Sequence, residues 1–183
     1  LMPEEIRVVF HGAVVVAGEG NEAFHAKDYT KARERYLEAF RIKKTFDIAG
    51  HLGKTEMRLG LYRDAAEHLA ACLRLAPPNQ PKEMFEPVIT DLQEAKGHVA
   101  TVTITAPAGA TISIDGREVA TAPVEHELFV ETGRRRVEAT VNGRKAIEEL
   151  DLAKGSTTEI TLRVDGAGTE KPPMTAPLPS WPG

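Results

Sequence analysis

A few short stretches hold residue types at spacings that could do chemistry. Gly50-His51-Leu52-Gly53-Lys54-Thr55 ends like a phosphate-binding loop. Such a loop needs four residues between its glycines, so that successive backbone N–H groups wrap the phosphates, and a strand before it. Here the glycines are separated by only two residues and the surroundings have helical spacing, so the reading is a helix. His68 and Cys72 stand four apart on one helix face, the geometry of half a metal site or of a thiol beside an activating base. Cys72, however, falls in a slot that Ala39 fills 33 positions earlier, which reads as a small buried packing residue. Arg134-Arg135-Arg136 is the dense charge run. Alternate strand residues point to opposite faces and Glu131 and Glu138 lie nearby, so it reads as a solvated strand start. Lys54 and Arg58, four apart on one helix face, could clamp a carboxylate.

The remaining histidines, His11, His25, His51, His98 and His126, show no His-Glu-x-x-His spacing, and no Gly-x-Ser-x-Gly elbow occurs. The carboxylates are scattered over positions that read as solvent-facing, and no pair stands out as a general acid and base. The expectation is a protein that is not an enzyme, with no catalytic residue, metal or cofactor. Net charge over the 183 residues is −4, spread so that no segment is basic enough to track a phosphate backbone, which argues against nucleic acid. Cys72 is the single cysteine, so no disulfide framework or four-cysteine zinc site can form. The apolar cluster Ala13 to Ala17 is far too short to span a bilayer. A first residue Leu1 in place of methionine leads us to expect a processed or excised chain, soluble as given.

Two elements must position whatever function there is. Residues 3 to 11 mix Ile6, Val8, Val9 and Phe10 with charges, which fits a short amphipathic helix. Lys27-Asp28-Tyr29 followed by Ala32, Tyr36, Ala39 and Phe40 sets small and aromatic residues at helical spacing after a polar turn. Gly60-Leu61-Tyr62 before Ala65, Leu69, Cys72 and Leu73 repeats those offsets, and both the tyrosine pair Tyr29 and Tyr62 and the glycine pair Gly20 and Gly53 are 33 apart. This spacing resembles tetratricopeptide repeats, antiparallel helix pairs whose small residues let backbones approach. Tyr29, Tyr36 and Tyr62 are then expected to fill the grooves beside the glycines, and Pro77-Pro78 to end the fourth helix. Lys82 to Lys96 puts Phe85, Val88, Ile89, Leu92 and Ala95 on one face, as a capping helix would, with Pro87 either starting a shorter helix or kinking a longer one. The resemblance implies a concave groove lined by the first helix of each pair, carrying Asn21, His25, Asp47, Lys54 and Arg58 as the candidate partner-binding residues.

From His98 the apolar period switches to two. Val102 and Ile104 alternate with Thr101, Thr103 and Thr105; Val137, Ala139 and Val141 with Arg136, Glu138 and Thr140; Ile160, Leu162 and Val164 with Thr161 and Arg163. Turns at Asp115-Gly116, Glu131-Thr132-Gly133, Asn142-Gly143 and Lys154-Gly155 divide the stretch into about seven short strands, each with one wet face, suiting a small antiparallel sandwich. Asp115-Gly116 supplies the two positive-φ positions of a type I′ hairpin turn. Pro107-Ala108-Gly109-Ala110, Ile112, Ile114, Asp115-Gly116 and Thr121-Ala122-Pro123, with Leu128, Gly133, Val137 and Asn142-Gly143 further on, resemble the PEGA domain. Ala108 and Ala120 stand where that family usually has Glu and Gly.

The expected architecture is therefore α+β in two domains: residues 1–97 as helical hairpin repeats with a cap, residues 98–164 as a PEGA-like β-sandwich, and residues 165–183 as a Pro/Gly-rich linker. The resemblances imply a protein–protein interaction scaffold of the bacterial cell envelope, periplasmic or extracytoplasmic, binding a protein or peptide partner, with a membrane tether expected beyond Gly183. The alternative is a cell-wall or surface glycan-binding module carried by the sandwich. Sugar faces usually stack Trp or Tyr, and residues 98–164 hold only Phe129.

Overall fold

A computed structural model describes residues 4–165 of the chain. The side chains of residues 4–10 and the linker reading beyond Asp165 lie outside the described residues. The architecture is α+β: helices α1 (Glu4–His25), α2 (Tyr29–Ile42), α3 (Phe46–Leu59), α4 (Tyr62–Leu75) and α5 (Glu86–Lys96), then strands β1 (Ala100–Thr105), β2 (Thr111–Ile114), β3 (Arg117–Thr121), β4 (Leu128–Val130), β5 (Gly133–Val141), β6 (Arg144–Leu152) and β7 (Thr157–Thr161). Among the described residues no helix is long and apolar enough to cross a membrane.

The 33-residue spacing translates into matched close contacts. A Cβ on Gly20 would lie 2.8 Å from the Tyr36 ring, and a Cβ on Gly53 would lie 2.6 Å from Leu69 Cγ and 3.1 Å from its backbone nitrogen. Glycine is therefore required twice, once in each hairpin, because α1 on α2 and α3 on α4 approach closer than a methyl group allows. Ala32 and Ala65, and likewise Ala39 and Cys72, are buried at equivalent positions. Turn chemistry stops and starts the helices. The Asp28 carboxylate caps α2 by accepting from Lys31 N–H at 3.1 Å, and Gly60, at φ 70°, ends α3. Pro77-Pro78 follows directly after the α4 cap at Ala76.

Of the three tyrosines, Tyr36 fills the groove beside its glycine, whereas Tyr29 packs edge-on to Phe24 at the hairpin turn. Tyr62 turns away from the repeat and stacks on His98 at 3.7 Å, because the chain after α5 runs across the end of α4. Pro87 sits in the first turn of α5, preceded by a 3-10 turn (Lys82–Phe85), so the shorter helix is the one formed. Phe85 and Ala95 are buried, Val88 and Leu92 half-buried, but Ile89 is 39% exposed and drops out of the expected stripe.

The strands form two sheets, β4-β1-β7 and β3-β2-β5-β6. Val102, Ile104, Leu128, Val130 and Ile160 of the first share one core with Ile112, Val137, Ala139 and Leu152 of the second. All pairs are antiparallel except β1 with β7, which run parallel and so depart from the expected antiparallel sandwich. A two-residue turn joins β2 to β3, with Asp115 at φ 51° and Gly116 at φ 80°, and Asn142-Gly143 joins β5 to β6 in the same way. The rule of one wet face fails at one end of the first sheet. Thr101 is buried, and β4 is buried at all three positions: Leu128 and Val130 face the sandwich core, while Phe129 faces the helices. There it joins Val99, Ala95, Ala65, Ala66 and Leu69 in a cluster common to both regions.

In the arginine run Arg134 and Arg136 have exposed side chains, as a solvated strand start would, but Arg135 does more. Arg135 donates from Nε to the Glu131 carbonyl (2.9 Å), from Nη2 to the Thr132 carbonyl (2.8 Å) and from Nη1 to Asp115 Oδ2 (3.0 Å). Arg136 N–H donates to Asp115 Oδ1 at 3.0 Å. One aspartate thus ties the β2–β3 turn to the start of β5, and three bonds to one side chain are more than a lone surface charge makes.

Two outcomes are expected. Gly53→Ala should destabilise by about 1–3 kcal/mol through overpacking against Leu69, whereas Gly18→Ala, where a Cβ meets nothing within 4 Å, should be neutral or stabilising by up to about 1 kcal/mol. Equal melting temperatures for the two variants would contradict the close approach. The second concerns acid. The Arg136 backbone N–H first, and then the Arg135 side chain, hold the Asp115 carboxyl below its ordinary value. A lowered folded value means its stabilisation is present above the ordinary carboxylate range, about 4, and is lost as pH falls through the folded value. Thermal melts from neutral to strongly acid pH should show the gap between wild type and Asp115→Asn closing below about pH 4. A gap constant with pH would refute the contact.

Candidate functional site

The strongest electrostatic feature of the helical region is a carboxylate that the sequence did not single out. Glu56, on the face of α3 turned toward α2 and α4, is fully buried. Its Oε1 accepts from Arg33 Nε of α2 at 3.0 Å, and its Oε2 lies 2.7 Å from His68 Nδ1 of α4, where a ring N–H donates to it. Arg33 Nη2 reaches on to Asp64 Oδ2 at 2.7 Å, and Arg63 also grips Asp64. His68 is therefore committed to Glu56. The half metal site with Cys72 is not assembled, and no cluster of three or more metal-ligating side chains exists among the described residues. Burial pushes the Cys72 thiol up to about 11, and the thiol is 2% exposed, in keeping with a packing role.

The glycine-lysine stretch lies within α3, as its spacing implied. From that helix Asp47, Lys54 and Arg58 project to the surface along the side facing α5. Two adjoining depressions follow this seam. The first, about 320 Å³, has an apolar lining of Phe46, Leu69, Cys72, Met84, Phe85 and Val88, with Asp47, His51, Lys54 and Asp91 at its edge. The second, about 420 Å³, is lined by Lys54, Met57, Arg58, Pro87, Asp91 and Glu94. Lys54, Pro87 and Asp91 belong to both, so the two are one groove. In the second stretch the α3 wall carries Lys54 and Arg58 and the α5 wall Asp91 and Glu94, while Asp47 of α3 stands at the edge of the first. Lys54, Arg58, Asp91 and Glu94 make no ion pair among the described residues. Lys54 Nζ lies 5.9 Å from the Phe24 ring centroid.

Asn21 and His25, the other two expected groove residues, sit on α1 and do not line these depressions. Asn21 Oδ1 accepts from the Tyr36 hydroxyl at 2.7 Å, which satisfies the polar end of a buried ring. The other side of that ring stacks on His51 at 5.6 Å and 10°. Desolvation holds the His51 imidazole below the ordinary histidine value, with Lys54 and His25 adding to the effect and Asp47 opposing it. Sequence spacing thus brought three of the five residues to one groove. It missed Asp91 and Glu94, which the period of α5 places on its unburied side, and the apolar floor supplied by α4.

A larger cleft, about 610 Å³, opens between the helices and the β2–β3 hairpin, lined among others by Arg33, Arg41, Arg63, Asp64, Arg117 and His126. Arg33, Arg63 and Asp64 are engaged in the network around Glu56, so much of the charge facing this cleft is already satisfied.

Compared with known proteins, the chain matches no family model and no curated protein.

The network generates a direct outcome. Arg33→Ala removes one partner of a buried carboxylate and should cost about 3 kcal/mol or more. Arg35→Ala, which breaks exposed contacts to Glu19 and Glu38, should cost less than about 1 kcal/mol. Urea titration of both variants checks the difference, and comparable losses would mean that Glu56 does not depend on Arg33.

Proposed function

We propose that the chain is a non-enzymatic protein-interaction scaffold whose helical groove takes an extended segment of a partner protein, with the β-sandwich as spacer or surface module. The observation that carries this reading is the α3–α5 groove: an apolar pocket continuous with a stretch where two cations face two carboxylates without pairing. Charges left unpaired on opposing walls, beside an apolar floor rimmed by exposed Met84, are what a protein partner can satisfy and bury. The paired helices with a 33-residue spacing favour a tetratricopeptide-type module, and the two-sheet region with its Asp-Gly and Asn-Gly turns favours a PEGA-type one. On those resemblances the protein belongs to the bacterial cell envelope, periplasmic or extracytoplasmic. The glycan-binding alternative is weakened because Phe129, the one aromatic in residues 98–164, is packed against the helices and offers no face to a sugar.

The groove is short, so binding should be weak, micromolar in order of magnitude, and sensitive to salt. A photo-crosslinking residue placed at Met84, on the groove rim, should capture a partner from an envelope extract at low salt; the same residue at exposed Ile147 on β6 should not. Lys54→Glu with Arg58→Glu should remove the Met84 crosslink while leaving helical content unchanged. Crosslinking at Ile147 alone would move the binding surface to the sandwich, and an undiminished Met84 crosslink in the double variant would show that these cations are only solvated.

A further inference from the structure

We infer that the segment recognised carries a large apolar side chain with, within two or three residues of it, an acidic and a basic residue side by side. The inference rests on the groove reading above and specifies the occupant's chemistry. Phe46, Leu69, Phe85 and Val88 surround a depression of about 320 Å³, room for a leucine-sized or aromatic side chain. Lys54, Pro87 and Asp91 line both that pocket and the charged stretch next to it, so apolar anchor and charges bind close together along one chain. The charged stretch is polarised across its width, with Lys54 and Arg58 on α3 opposite Asp91 and Glu94 on α5.

An extended peptide points successive side chains to opposite sides and advances about 3.3 Å per residue. A neighbouring acid and base therefore meet the two walls at once, the acid toward Lys54 and Arg58 and the base toward Asp91 and Glu94. A purely acidic segment satisfies the α3 wall and is repelled by the α5 wall. A purely basic one meets the reverse. The groove thus selects mixed charge and discriminates against either single sign, which a pair of cations on α3 alone would not do.

The test uses the full chain and four fluorescein-labelled peptides, acetylated and amidated at their ends, built on the cores Leu-Ser-Glu-Lys, Leu-Ser-Glu-Glu, Leu-Ser-Lys-Lys and Ala-Ser-Glu-Lys. Fluorescence anisotropy at low salt should show the first binding at least tenfold tighter than either like-charged peptide and at least fivefold tighter than the alanine version. Asp91→Lys should move the preference to the Glu-Glu peptide, and Lys54→Glu should move it to the Lys-Lys peptide. Circular dichroism of each variant reports whether the helices are intact; Lys54 is exposed and Asp91 half-exposed, so both should fold. If the Glu-Glu peptide binds wild type as tightly as the mixed one, or Asp91→Lys leaves the order unchanged, the mixed-charge inference is overturned while the groove remains a peptide site. If none of the four peptides binds, the groove reading itself falls, and the inference with it.

Discussion

A carboxyl group taken fully out of water must find hydrogen-bond partners where it lies, and Glu56 finds them on two other helices. Leaving it unpaired in the interior would cost several kcal/mol, so the positions of Arg33 on α2 and His68 on α4 relative to α3 are fixed by chemistry as well as by packing. Within each 33-residue helix pair a glycine meets a large side chain. The ion network joins the first pair to the second together with the packing of Leu52 and Ile48 of α3 against Ala32, Tyr36 and Ala39 of α2. Arg33 extends the same constraint to Asp64 at the start of α4, so one guanidinium sets the register of three helices.

That register determines what α4 offers on its other sides. One face gives Leu69 and Cys72 to the floor of the α3–α5 groove. Another gives Ala65 and Ala66 to the cluster with Ala95, Val99 and Phe129, where small residues let α5 and the sheet approach closely. The junction is reinforced by the Tyr62–His98 stack, by Lys96 Nζ donating to Glu127 Oε2 at 2.7 Å, and by Gly155 N–H donating to the Val99 carbonyl at 2.8 Å. The anionic wall of the groove is therefore carried by a helix packed on α4 and tied to the first sheet through Ala95 and Lys96, and its carboxylates are presented from a fixed support.

How much of this was legible depended on the range of the interaction. Helix pairs, their glycines, the hairpin turns and most inward strand positions follow from local periodicity and from φ preferences, which are properties of neighbouring residues. Asp47, Lys54 and Arg58 could be placed on a common surface because one helix carries all of them. Asn21 was legible as an α1 residue but not as the partner of the Tyr36 hydroxyl, a contact between two helices. Ile89 and Thr101 were misjudged for the same reason: whether a position at the edge of a stripe is wet depends on what packs there.

By itself, then, the sequence determined the period of each segment and the places where the chain must turn, since both are written in residue type and local spacing. Only the tertiary structure decided that a glutamate with ordinary helical spacing is the buried charge of the helical region, that Arg135 is a clamp across two turns, and that Phe129 faces the helices instead of the solvent. Those outcomes depend on residues from 12 positions apart, as Glu56 and His68 are, to 64, as Ala65 and Phe129 are, coming within bonding or packing distance. Burial and pairing are properties of the assembled neighbourhood, and a charge or a ring has no fixed role until its neighbours are in place.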